Sequence, residues 1–156
     1  MKKLVLAFFI GFVFFACKET ERPSRYVQST IYELQQASEY KYTGQLEVGE
    51  LPTGDLEFVI TLKGEKGSKA VTYPAHLHYG PVDTPDAPMA AMLNPVFANS
   101  LDGATILNKL ANGNTINYDS FQNFNGHVKV HLASDGPDYD VILVSGNVGA
   151  NAFQPD

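Results

Sequence analysis

Four histidines are the side chains best able to do chemistry in this 156-residue chain, and they fall into two pairs, His76 with His78 and His127 with His131. On a β-strand, residues two apart point to one face, about 7 Å from each other. His76 and His78 can therefore converge on one ion, with His131 from another strand as third ligand. Neutral imidazole suits copper and zinc. His127 shares the face of His131 on a regular strand but lies about 13 Å away, too far for the same ion. The competing reading is structural: a His-x-His strand that caps a sheet edge, each ring bonded to a backbone carbonyl. Three imidazole nitrogens within about 4 Å of one another would mark a metal centre, because Cu–N and Zn–N bonds are near 2 Å. Proton competition around the ordinary imidazole pKa would make affinity rise through about pH 6–7.

Other chemistry has less to stand on. Asp83, Asp86, Asp135, Asp138 and Asp140 sit in loops but lack the regular spacing of a calcium loop. There is no Ser-His-Asp order and no Gly-rich phosphate loop. Cys17 is the only cysteine, so it has no disulfide partner.

The elements that must position the histidines read as short strands. Glu57 to Lys63 puts Phe58, Ile60 and Leu62 on one face and Glu57, Thr61 and Lys63 on the other, a half-buried strand. Tyr42 to Val48 alternates and ends at a Pro-Thr-Gly-Asp turn (Pro52 to Asp55). Thr30 to Gln35 reads as a strand or a helical turn, since Val27, Ile31 and Leu34 allow either. Pro74 breaks the run Ala70 to Tyr79, so a strand is expected to start after it. Asp83 to Pro88 is loop. Met89 to Leu93, Ala104 to Leu110, His127 to Ala133 and Val141 to Asn147 are further strands, and Tyr118 to Phe124 is a helical turn. Seven or eight short strands with Gly, Pro and Asn punctuation predict an all-β Greek-key sandwich or barrel. Phe58, Ile60, Leu62, Val128, Val130, Ile142 and Val144 are the candidate core. If Val128 and Val130 face in, His127 and His131 face out. Leu77 likewise points opposite to His76 and His78.

The N-terminus carries an address. Lys2 and Lys3 precede an apolar run, Leu4 to Phe15, and the small Ala16 stands before Cys17. This is the order of a secretory signal. The run is shorter than the roughly 20 apolar residues that span a bilayer. A lone cysteine at that point resembles the lipobox of bacterial lipoproteins, where the thiol takes a diacylglycerol and becomes the first mature residue. Two or three acyl chains hold a protein at a membrane, where one is marginal. Residues 1–16 are thus the signal peptide, 17–29 the lipidated Cys and polar tether, and 30–153 one β domain. Leaving out Lys2 and Lys3, nine Lys and Arg stand against 17 Asp and Glu, and this acidic balance repels nucleic acid.

From Thr30 to Phe153 the chain resembles the CHRD family. The likeness is carried by Tyr73-Pro74-Ala75-His76-Leu77-His78-Tyr79-Gly80, Leu93-Asn94-Pro95-Val96, Ile116-Asn117-Tyr118-Asp119, Phe124-Asn125-Gly126, Val130-His131-Leu132-Ala133-Ser134 and the closing Val144-Ser145-Gly146-Asn147-Val148-Gly149-Ala150-Asn151. The resemblance implies a secreted β domain and no particular enzyme. At His127 related bacterial sequences tend to have Tyr. The histidines also resemble part of the copper site of Cu/Zn superoxide dismutases, Greek-key barrels with a His-x-His strand and a further His before an Asp-Gly loop, as His131 precedes Ser134-Asp135-Gly136. A bridging His, a zinc loop, a disulfide and a late Arg are missing, the last Arg being Arg25.

The sequence therefore implies a non-enzymatic lipoprotein of the cell envelope, exported across the inner membrane and anchored at the outer membrane. Its barrel is a binding or structural module for an unknown protein or small ligand. The alternative is a copper- or zinc-binding protein using His76, His78 and His131, with dismutase catalysis the least supported class.

Overall fold

The computed structural model describes residues 25–152. The signal segment, Cys17, the stretch Lys18 to Ser24 and the expected domain end at Phe153 lie outside the described residues. Among the described residues no helix is long and apolar enough to cross a membrane.

Eight strands form the domain: β1 (Gln28–Gln36), β2 (Thr43–Glu50), β3 (Leu56–Lys63), β4 (Thr72–Tyr79), β5 (Met89–Phe97), β6 (Asp102–Leu107), β7 (Asn125–His131) and β8 (Ile142–Gly149). A helical turn, α1 (Tyr118–Gln122), precedes β7, and a 3₁₀ turn, Pro137–Asp140, joins β7 to β8. The strands close into an antiparallel barrel in the order β1-β2-β3-β6-β5-β4-β7-β8, sealed where Gln35 and Gln36 of β1 pair Ser145 and Val144 of β8. The run β4-β5-β6 is a meander whose next strand, β7, returns beside β4, which makes a Greek key. The all-β barrel of seven to eight strands expected from the alternation is the fold observed.

An eight-stranded barrel is just wide enough for side chains to fill it. Tyr32, Leu34, Leu46, Val48, Phe58, Ile60, Leu77, Val128, Val130 and Val144 do so. The open choice for β1 resolves as strand. Tyr32 and Leu34 turn inward at period two, whereas Val27 and Ile31 of the helical stripe are exposed. Asn117 caps α1 through a reciprocal capping box with Ser120. That cap drives Phe121 into the core, edge-on to Phe58 at 5.1 Å and to Tyr32 at 5.9 Å.

Two expectations need correction. Pro74 does not precede β4 but lies inside it, where the register to β5 shifts between Tyr73 and Ala75. A bulge asks no ladder N–H of that residue, so proline is tolerated there. Ile142 is only partly buried, and Leu143 takes its place in the core. The cause is a second bulge: Val130 pairs Val144 while His131 pairs Ile142, leaving Leu143 as the extra residue and reversing the facing of Ile142. Strand ends otherwise differ from the expected ones by a few residues, as at β5, which runs on through Pro95 to Phe97.

Candidate metal centre

All four histidines lie on the outer face of the β4–β7 pair. Ala75 and Leu77 of β4 and Val128 and Val130 of β7 are buried in the barrel, so parity sends His76, His78, His127 and His131 outward. They are nevertheless covered. His127 is fully buried, His76 and His131 nearly so, and His78 is half-buried. The cover comes from the β4–β5 loop over His78 and His127 and from the 3₁₀ turn over His131.

Main-chain carbonyls fix three of the rings. His78 Nδ1–H donates to Ala87 O (2.9 Å), His127 Nδ1–H to Gly80 O (2.7 Å) and His131 Nδ1–H to Tyr139 O (2.7 Å). A carbonyl only accepts, so each bond places the proton on Nδ1 and leaves Nε2 with a bare lone pair. These are the carbonyl bonds of the structural reading, and they are equally the outer bonds that orient metal-ligating imidazoles. The leftover nitrogens separate the two readings. Nε2 of His78 is buried with no hydrogen-bond partner, and so is Nε2 of His127. His131 Nε2 faces His76 Nδ1 at 3.2 Å. Since His131 Nε2 has no proton, His76 Nδ1–H is the donor of that pair.

His76, His78 and His131 each offer one ligand nitrogen within 4.8 Å of the other two. Nitrogens bound 2.0–2.1 Å from one Zn²⁺ stand about 3.3 Å apart at tetrahedral angles. The His76–His131 pair, at 3.2 Å, is at that spacing already, whereas the trio as a whole spans up to 4.8 Å rather than the 4 Å expected of all three. The widest separation in the trio closes by at most about 1.5 Å to match it. An ion held between His76 and His131 would replace their shared proton, with the His76 hydrogen then on Nε2.

His127 does not join this group. It stands directly opposite His78 in the ladder, and the two rings stack at 5.1 Å with only 10° between their planes. A ligated ion lies in the plane of its imidazole, and two stacked rings have no such point in common. His127 buttresses His78 instead. Tyr139, which the sequence did not single out, does the same for His131: its ring stacks at 4.5 Å and 12°, and its carbonyl holds Nδ1.

Electrostatics favour neutral imidazoles. Burial pushes the His76 pKa down to about 4, with the neighbouring His131 and His78 adding to the effect. Burial also lowers His127 and His131, and the bonds to Gly80 and Tyr139 offset this in part. Lys129 lies between these two on the same face of β7 and depresses both further. Proton competition at His76 therefore ends well below the pH 6–7 window expected of ordinary imidazole. Gly80 makes the tight exit from β4: its φ is 78°, and a Cβ there would stand 2.7 Å from Thr84 Oγ1.

The chain matches no family model, no curated protein and no solved structure. Fold and site define it by its own residues: a closed antiparallel β-barrel with a tri-histidine cluster sealed against its outer wall.

Proposed function

We propose that this chain is a lipid-anchored envelope protein whose barrel holds a copper or zinc ion through His76, His78 and His131. The observation that carries the reading is the partnerless, buried Nε2 of His78 beside the His76–His131 pair. A lone pair buried without a donor costs roughly 1–3 kcal/mol, and an ion relieves that cost. The role is binding rather than catalysis, and the His-x-His resemblance to dismutase copper sites supports the ligand set alone. The signal-like N-terminus, the lone Cys17 and the CHRD resemblance support the envelope and the anchor at the outer membrane.

Titration calorimetry on the tag-free protein tests the metal. One ion per chain should bind at micromolar affinity or better, and His76→Ala, His78→Ala or His131→Ala should each weaken it strongly. Binding no tighter than millimolar would return the protein to a plain binding module. A separate observation favours that second reading: a groove of about 700 Å³, lined by Ile31, Glu33, Val82, Ser145 and Asn147 among others, contains none of the histidines. Cys17→Ser tests the anchor, since the variant should leave the membrane fraction.

A further inference from the structure

The chain has three methionines, and the two beyond Met1 stand at register positions opposite the two histidines of the His-x-His strand. Met92 of β5 pairs His76 of β4, and Met89 pairs His78. Directly opposed residues share a face, with Cβ atoms about 4.5–5.5 Å apart. Facing agrees on both strands. Ala91 and Leu93 are buried in the barrel, which sends Met92 outward with His76. The register then shifts so that Ala90 is the extra residue, which returns Met89 to the outer face with His78. Both residues remain exposed, Met92 at 71% and Met89 at 37%. Neither is spent on filling the core, the common use of methionine.

Thioether sulfur is a soft ligand that selects Cu(I), whereas imidazole serves copper and zinc alike. We infer that Met89 and Met92 form a soft flank on the β5 side of the centre and make it a Cu(I) site, with thioether as well as imidazole ligands. The inference rests on the tri-histidine reading above and adds the metal and its oxidation state. It also accounts for exposed methionine at two places where a polar residue would be the ordinary choice for an outer face. The flexible Met side chain, with three rotatable bonds, can swing its sulfur across the width of one strand pair. No redox step is required, since copper enters and stays as Cu(I).

Met89→Leu/Met92→Leu tests it, because leucine keeps the apolar surface and removes the sulfur. Cu(I) affinity is measured on the full chain, anaerobically and by competition with a chromogenic Cu(I) chelator. Zn²⁺ affinity is measured beside it by calorimetry. The double variant should lose tenfold or more in Cu(I) affinity while Zn²⁺ affinity stays within twofold. The Cu(I) X-ray absorption spectrum of the wild type should contain a sulfur scatterer that the variant lacks. Cu(I) affinity unchanged within threefold, or an equal loss for both metals, would overturn the thioether flank and leave the tri-histidine site standing. A wild type that binds neither metal would instead overturn the metal centre itself, and the flank with it.

Discussion

His78→Ala separates a metal ligand from a structural histidine by the sign of its effects. Without metal, the substitution removes a buried Nε2 that has no partner, worth roughly 1–3 kcal/mol of penalty. Against that gain it loses the bond to Ala87, about 0.5–1.5 kcal/mol, and the stack on His127, about 0.5–1.5 kcal/mol. The terms nearly cancel, so metal-free stability should stay within about 1 kcal/mol of wild type. With metal at a hundred times its Kd, binding to the native state alone adds about 2.7 kcal/mol to the wild type. A domain of this size gains about 3–5 °C in Tm per kcal/mol, so the wild type should rise by roughly 10 °C and the variant hardly at all. Thermal unfolding of the two proteins, with chelator and with Zn²⁺, gives all four numbers. A variant that loses more than about 2 kcal/mol without metal, yet keeps the metal-induced rise, would refute the reasoning and make His78 a structural residue.

Three further outcomes follow from the same geometry. Stability should fall as pH drops from about 6.5 to 4, because His76 resists protonation in the fold down to about 4 whereas the unfolded chain takes its proton near 6.5. Urea unfolding across that range checks this, and a flat or opposite trend would contradict it. His127→Ala should weaken metal binding about tenfold through the lost support of His78, as removal of a residue behind a ligand commonly does; calorimetry reads it, and an unchanged affinity would show that the stack is idle. Phe58→Ala should cost about 3–5 kcal/mol by denaturant unfolding, since the ring is fully buried against Phe121.

The barrel was legible because one face of nearly every strand is sealed, and burial of one face writes a period of two into the sequence. Phe58, Ile60 and Leu62 show this plainly. Where the pattern misled, a bulge had intervened. Ile142 and Leu143 exchange roles because one unpaired residue reverses the facing, and the composition of Val141-Ile142-Leu143-Val144 does not say which of four apolar neighbours is the extra one. Pro74 does interrupt the ladder, but the consequence is a bulge inside β4 rather than a strand start. The trio His76, His78 and His131 was legible from parity and spacing alone. The acceptors that orient His78 and His131 were not, because Ala87 and Tyr139 act through main-chain carbonyls, and every residue type carries one.

Those carbonyls decide which chemistry is open to the centre. An imidazole free to turn offers either nitrogen and binds metal at the entropic expense of choosing one. Here Ala87 and Tyr139 have already fixed the choice at His78 and His131, so their free Nε2 atoms are preset and would meet an ion without turning. His76 has no carbonyl of its own. Its Nδ1 is held by His131, so an ion seated between these two rings would require His76 to carry its hydrogen on Nε2 instead. Burial keeps the His76 ring neutral. The support is also uneven in strength. The 3₁₀ turn holds His131 by both the ring and the carbonyl of Tyr139, whereas His78 depends on a loop carbonyl and on the ring of His127. A change in the β4–β5 loop, such as Gly80→Ala with its strained φ of 78°, should therefore disturb the His78 side of the centre first. Nuclear magnetic resonance of the imidazoles would show the His78 and His127 resonances shifted and those of His131 in place. Uniform shifts at all four rings would mean that the cluster responds as one rigid unit.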